Sequence, residues 1–112
     1  MFKNVILGMS FAAFLPLLVH AETWKGVPVV DSMCYAKVKA DPDAHTTKCA
    51  LACVKGGYGI IAADGAFLKF DNSGNEKVSN LLKNTDKKDH LRVTVDGERR
   101  GDSIAVTSVV LE

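Results

Sequence analysis

Cysteine is scarce in this chain of 112 residues, and none of its three cysteines stands in a Cys-x-x-Cys pair. The usual motif of thiol oxidoreductases is therefore absent, and so are the tight cysteine pairs of most structural zinc sites. A glycine-rich phosphate loop and a constellation of paired carboxylates are lacking as well. These absences argue against several enzyme classes, and we expect a protein that is not an enzyme.

An excess of charge of one sign is also missing. The chain has 14 basic and 13 acidic residues. A protein that binds nucleic acid through its phosphates needs a basic groove, and this balance does not provide one. Nucleic acid is therefore not an expected partner.

The chain has a single long apolar run, at its N-terminus. The run extends from Val5 to Val19, follows the positive Lys3, and precedes the small residue Ala21. At about fifteen residues, interrupted by Pro16, it is too short to span a bilayer and has the layout of a cleaved secretory signal. We therefore predict a signal peptide over residues 1–21, cleavage near Ala21, and an exported domain over residues 22–112 without a membrane span. Its destination is the periplasm or the outside, where disulfides persist.

The remaining residues alternate between strand and helix patterns. Trp24 to Asp31 predicts a first strand in which Gly26 and Pro28 require a bulge or bend. Asp64-Gly65 between two apolar runs predicts a hairpin with a two-residue turn. Alternating apolar residues over 91–95 and 104–110 predict two further strands, joined near residues 97–103.

Two helices are predicted between these strands. The first runs from His45 for about three turns, with Thr46, Thr47 or Asp43 as its cap. The two glycines at residues 56–57 terminate it. Ser73 and Glu76 have the spacing of a capping box and predict the start of a second, short helix.

This element order predicts a mainly β fold, a small five-stranded OB-like antiparallel barrel. The cysteine-bearing helix lies between strands 1 and 2, and the short helix lies between strands 3 and 4. OB-folds bind ligands through the loops between strands 1 and 2 and between strands 4 and 5, and by stacking on the face of strands 2 and 3. The residues that could form such a ligand surface here are Trp24, Tyr58, Phe67, Lys69 and Arg92.

The motif HTTKCALACVKGG over residues 45–57 carries the most distinctive chemistry. On a continuous helix His45, Cys49 and Cys53 lie on one stripe, because four residues advance by about 400°. Together with Cys34 they would offer three thiolates and one imidazole. That set suits zinc, or cuprous copper bound by fewer of the ligands.

A disulfide is the competing interpretation of the same residues. Cys34 could pair with Cys49 or Cys53, which closes a loop worth about 3 kcal/mol on the chain-entropy estimate. Cys49 and Cys53 suit each other poorly, because helical neighbours four apart hold their Cβ atoms at about 5–6 Å. Thiol redox chemistry is a third interpretation, and the lack of a Cys-x-x-Cys pair weakens it. The sequence leaves metal and disulfide open.

Several of these segments resemble a family of small exported bacterial domains of unknown function. The shared pattern is D-S-x-C at residues 31–34, H-x3-C-x3-C-x-K-G-G at 45–57, and V-T-V-x-G followed by G-D near the C-terminus. The resemblance implies export and a compact, β-rich, OB-like fold, and it implies no activity. We therefore expect a non-catalytic exported binding module. It would hold a metal at the cysteines, or it would be a disulfide-stapled domain that binds a macromolecule or small ligand through its barrel surface.

Overall fold

Five strands close into a barrel in residues 21–112, the part of the chain that the computed structural model describes. The strands are β1 (Ala21–Asp31), β2 (Tyr58–Ile61), β3 (Phe67–Phe70), β4 (Arg92–Arg100) and β5 (Ser103–Leu111). Their order around the barrel is β1-β2-β3-β5-β4. The prediction of a small, mainly β, OB-like barrel is confirmed. The predicted signal peptide lies outside the described residues, except for Ala21.

One of the five strand pairs is parallel, which corrects the all-antiparallel prediction. The β3 and β5 strands pair in parallel through Lys69 with Ser103 and Phe70 with Ile104. The other four pairs are antiparallel. A closed ring with an odd number of strands cannot alternate in direction all the way round, so one pair must be parallel.

The cysteine-bearing helix is shorter than the sequence pattern predicts. The helices are α1 (Tyr35–Val38), α2 (Thr47–Ala52) and α3 (Asn72–Lys83), with 3₁₀ turns at Pro42–Ala44 and Val54–Gly56. The predicted helix from His45 starts at Thr47, because His45 and Thr46 are extended and the Thr46 hydroxyl accepts from the Cys49 amide at 3.1 Å. The single-turn helix α1 lies between β1 and α2, where the sequence pattern predicts no helix.

Helix α3 begins before the predicted capping box. The Asp71 carboxylate accepts a hydrogen bond from the Gly74 amide at 3.0 Å, so Asp71 is the N-cap, ahead of Ser73 and Glu76. An aspartate caps a helix as well as a serine does. Because Asp71 comes earlier in the chain than Ser73, the helix begins directly after Asp71. Val78 and Leu82 of this helix are buried in the barrel core.

Glycine produces the two irregularities of the barrel that the sequence indicated. The register shifts between Trp24 and Val27, where Gly26 has a φ of 61°, which confirms the predicted bulge. The β2–β3 hairpin has a three-residue turn, longer than predicted, since Ala62 pairs with Ala66 and Gly65 takes a φ of 90°. That is the type I turn with a glycine bulge.

The core lies inside the barrel and under α2 and α3. Its fully buried side chains include Tyr58, Ile60, Leu68, Leu91 and Ile104. The Tyr58 hydroxyl donates to the Ala50 carbonyl of α2 at 2.9 Å, so the barrel interior holds the cysteine-bearing helix in place.

Candidate functional site

A wholly buried carboxylate ends strand β1. Asp31 is 0% exposed, its Oδ1 lies 2.7 Å from His45 Nε2, and its Oδ2 accepts from the Cys34 amide at 3.0 Å. Strand β1 places Asp31 on the barrel wall opposite Tyr58 of β2. Two segments of the connection between β1 and β2 are thereby attached to one side chain of the barrel.

Two cysteines lie beside this carboxylate. Cys34 precedes α1 and Cys53 follows α2, and both are half-buried. One oxygen of Asp31 and the two sulfur atoms lie within 4.8 Å of one another. We call Asp31, Cys34 and Cys53 the Asp-Cys-Cys cluster. Within residues 21–112 it is the one group of three such ligand atoms this close together.

The structure brings together two of the four residues that the sequence grouped as metal ligands. Cys34 and Cys53 are in the cluster, whereas His45 contacts it through Asp31, and Cys49 is exposed outside it. The predicted helical stripe does not exist, because His45 lies ahead of α2. Sequence reasoning missed Asp31. The pattern that could have found it is D-S-x-C at the end of a buried strand, which places a carboxylate three residues before a cysteine.

In the metal-free cluster the thiolate form of Cys34 is disfavoured. Burial of the Cys34 thiol, together with its hydrogen bond and proximity to the Asp31 carboxylate, raises the pKa of Cys34 to about 11. Nucleophilic cysteines require the opposite shift. His45 Nε2 is engaged by Asp31. A bound cation would reverse this preference, because a coordinating thiol loses its proton.

Hydrogen bonds from Ser32 and Thr47 hold the segments around the cluster in place. The Ser32 amide donates to the Gly57 carbonyl at 2.9 Å, and the Ser32 hydroxyl donates to the Gly56 carbonyl. The segment before Cys34 therefore runs beside the segment after Cys53. We call the connection between β1 and β2, residues 32–57, the insertion. On its other side the Thr47 amide donates to the Lys88 carbonyl and the Thr47 hydroxyl donates to the Lys87 carbonyl.

The predicted ligand surface is divided by the fold. Tyr58 is buried in the core and Trp24 is half-buried against it. Phe67 and Lys69 face outward on β3, where the ring of Tyr35 in α1 stacks on Phe67 at 4.8 Å between centroids. The Tyr35 hydroxyl donates to the Gly65 carbonyl. The aromatic part of this face is therefore covered by the insertion itself.

Arg92, the fifth predicted surface residue, holds the insertion to β4. Its Nε and one terminal nitrogen each donate at 3.0 Å to a different oxygen of Asp43, and its other terminal nitrogen donates to the Gly26 carbonyl. The hydrogen bond from Arg92 lowers the pKa of the Asp43 carboxyl below its usual range, against an opposing effect of burial.

Asp43→Asn should reduce stability at neutral pH by about 1 kcal/mol, and the difference should vanish in acid. Because the folded pKa is depressed, the pair contributes fully above the unfolded pKa of about 4, and the contribution is lost as pH falls through the folded value. Urea denaturation from pH 7 to pH 3 measures this. Glu98→Gln, at the more exposed Arg100 pair, is the control and should change little. A difference of the same size at pH 7 and at pH 3 would contradict the assignment.

Within residues 21–112, no helix combines the length and the apolar character needed to cross a bilayer. No family model, no curated protein and no solved structure matches this chain. The site is therefore interpreted from its own geometry.

Proposed function

We propose that this protein is an exported, non-catalytic binding module that holds a soft metal ion at the Asp-Cys-Cys cluster. The observation that carries the proposal is the convergence of one carboxylate oxygen and two sulfur atoms within 4.8 Å around a wholly buried Asp31. Two thiols and a carboxylate are donors that zinc accepts.

The spacing of the donors fits a tetrahedral ion after small adjustments. Zinc binds sulfur at about 2.3 Å and carboxylate oxygen at about 2.0–2.2 Å, so its ligands lie roughly 3.5–3.8 Å apart. The donor atoms, which lie within 4.8 Å of one another, would have to approach by about 1 Å to reach that spacing. Cys34 and Cys53 are partly exposed, which leaves a fourth position open to water or to a ligand from a partner.

The surroundings of Asp31 support its role as a ligand. Metal-binding side chains are oriented by hydrogen bonds from outside the coordination sphere, and His45 and the Cys34 amide supply two such bonds here. The carboxylate favours zinc, whereas cuprous copper would use the two sulfurs alone. Zinc is therefore the leading ion and copper the second.

A disulfide-stapled binding domain is the second candidate, and the same two sulfur atoms support it. The sulfur atoms of Cys34 and Cys53 lie within 4.8 Å of each other, and the compartment we propose is oxidising. In that case the outward face of β3 around Lys69 is the surface left for a macromolecule or small ligand.

Zinc binding by the reduced protein tests the first candidate. Native mass spectrometry of protein prepared with a thiol reductant and without chelator should show one zinc ion per chain. Cys34→Ser and Cys53→Ser should lose it, whereas Cys49→Ser, a matched change of the exposed cysteine, should keep it. His45→Ala should weaken zinc by about 10–100-fold without abolishing binding. Equal loss in Cys49→Ser, or no zinc in the reduced wild type, would refute the Asp-Cys-Cys site.

A further inference from the structure

We propose that Cys34 and Cys53 also form a reversible disulfide that excludes the metal, so that oxidation of the Asp-Cys-Cys cluster releases its ion. This inference rests on the proposed function and adds a means of controlling it. Among the three cysteines, these are the two whose sulfur atoms lie in one group, and Cys49 is not part of it.

The local backbone is arranged for ring closure. A disulfide requires its sulfur atoms at about 2.05 Å, and the two sulfurs start within 4.8 Å. The hydrogen bonds from Ser32 to Gly56 and Gly57 already hold the two cysteine-bearing segments side by side. To form the bond, the two sulfur atoms must approach each other by up to about 3 Å from segments that are already adjacent.

Both sulfurs are also accessible to an exchange partner. Cys34 and Cys53 are partly exposed, so a disulfide of a low-molecular-weight thiol can reach the cluster. The Cys53 sulfur, after losing its proton to solvent, attacks a sulfur of that disulfide and releases one thiolate. The second cluster sulfur then displaces the other thiolate and forms the Cys34–Cys53 bond.

The electrons and protons of this exchange balance. Two protein thiols lose two electrons and two protons, and the external disulfide gains them as two free thiols. The reverse reaction with excess thiol restores both protein thiols. The reduced and oxidised forms are thus connected without any other reactant.

Oxidation removes the donors on which the metal depends. A disulfide sulfur carries no thiolate charge, so Asp31 alone remains as an anionic ligand. Loss of a single residue outside the coordination sphere already costs about 10–100-fold in affinity, so loss of both thiolates should exceed about 100-fold. Bound metal should in turn protect the thiols from exchange, because coordinated sulfur atoms are not free to attack.

Glutathione disulfide, added to the reduced full chain with and without zinc, tests the inference. In the metal-free protein, Cys34 and Cys53 should form the internal disulfide with loss of two hydrogen atoms, whereas the exposed Cys49 should stay alkylatable or carry one glutathione. The zinc-loaded protein should react at least about tenfold more slowly, and oxidised protein should bind zinc more than about 100-fold more weakly. In the Cys49→Ser control the same internal disulfide should form and leave no alkylatable thiol.

The outcomes separate this inference from the proposed function. Glutathione adducts without an internal disulfide, in protein that does bind zinc, would overturn the inference alone. Zinc binding of unchanged affinity after disulfide formation would do the same. Reduced protein that binds no zinc would overturn the proposed function and the exclusion of metal with it, while the mass would still show whether the disulfide forms.

Discussion

Asp31→Ala and His45→Ala should each destabilise the reduced, metal-free fold by about 3 kcal/mol or more, and the double variant should cost little more than either one. The two side chains are 0% and 5% exposed and share a 2.7 Å hydrogen bond. Each single change leaves the other buried side chain without its hydrogen-bond partner. The resulting loss of folding free energy is larger than the contribution of the hydrogen bond itself. The double change removes both groups.

Urea denaturation with chelator and reductant present isolates this effect from metal and disulfide. The matched control is Asp89 with His90, a pair of the same types at the same 2.7 Å distance whose side chains are 53% and 68% exposed. Asp89→Ala should leave the midpoint almost unchanged. Costs of the Asp31 and His45 variants that simply add would show that the two groups are not coupled. The measured cost of His45→Ala also shows whether that variant stays folded, which its use as a probe of zinc affinity requires.

The barrel was predictable because its determinants are local. Alternating apolar residues in β4 and β5, and a glycine in β1, suffice to indicate strands and a bulge. Helix starts were harder, since several residues near each start could serve as caps. Thr46 and Asp71 fill that role because of the path the chain takes away from the barrel, which the helical pattern does not encode. The parallel pair follows from ring closure rather than from any residue.

The site was only partly predictable because it depends on the path of the insertion. Cysteine chemistry made Cys34 and Cys53 candidates, but their partner is an aspartate fourteen residues before His45. Asp31 is polar at the end of an apolar strand, and its burial becomes understandable only when the insertion folds back and supplies His45 and the Cys34 amide. Cys49 fits the sequence spacing equally well and yet is exposed.

Gly59→Ala should cost about 3 kcal/mol, because an added methyl group has no space on β2. Its Cβ would lie 2.4 Å from the Leu68 carbonyl oxygen and 2.7 Å from the ring of Phe67. The carbonyl belongs to the paired strand β3 and cannot move without disturbing the β2–β3 register. The ring of Tyr35 stacks on the ring of Phe67, so displacement of the Phe67 ring should also loosen α1 beside Cys34.

Denaturation midpoints and amide hydrogen exchange of α1 test the two parts of this expectation, with Gly56→Ala as the matched control. A Cβ on Gly56 would meet Met33 Cγ at 2.7 Å, but that side chain is 65% exposed and can move away. Gly56→Ala should therefore cost far less, although it lies nearer to Cys53 in the chain. If Gly59→Ala is equally mild, the outward face of β3 has room for a methyl group. If Gly59→Ala is destabilised but hydrogen exchange of α1 is unchanged, the stack of Tyr35 on Phe67 does not hold α1 in place.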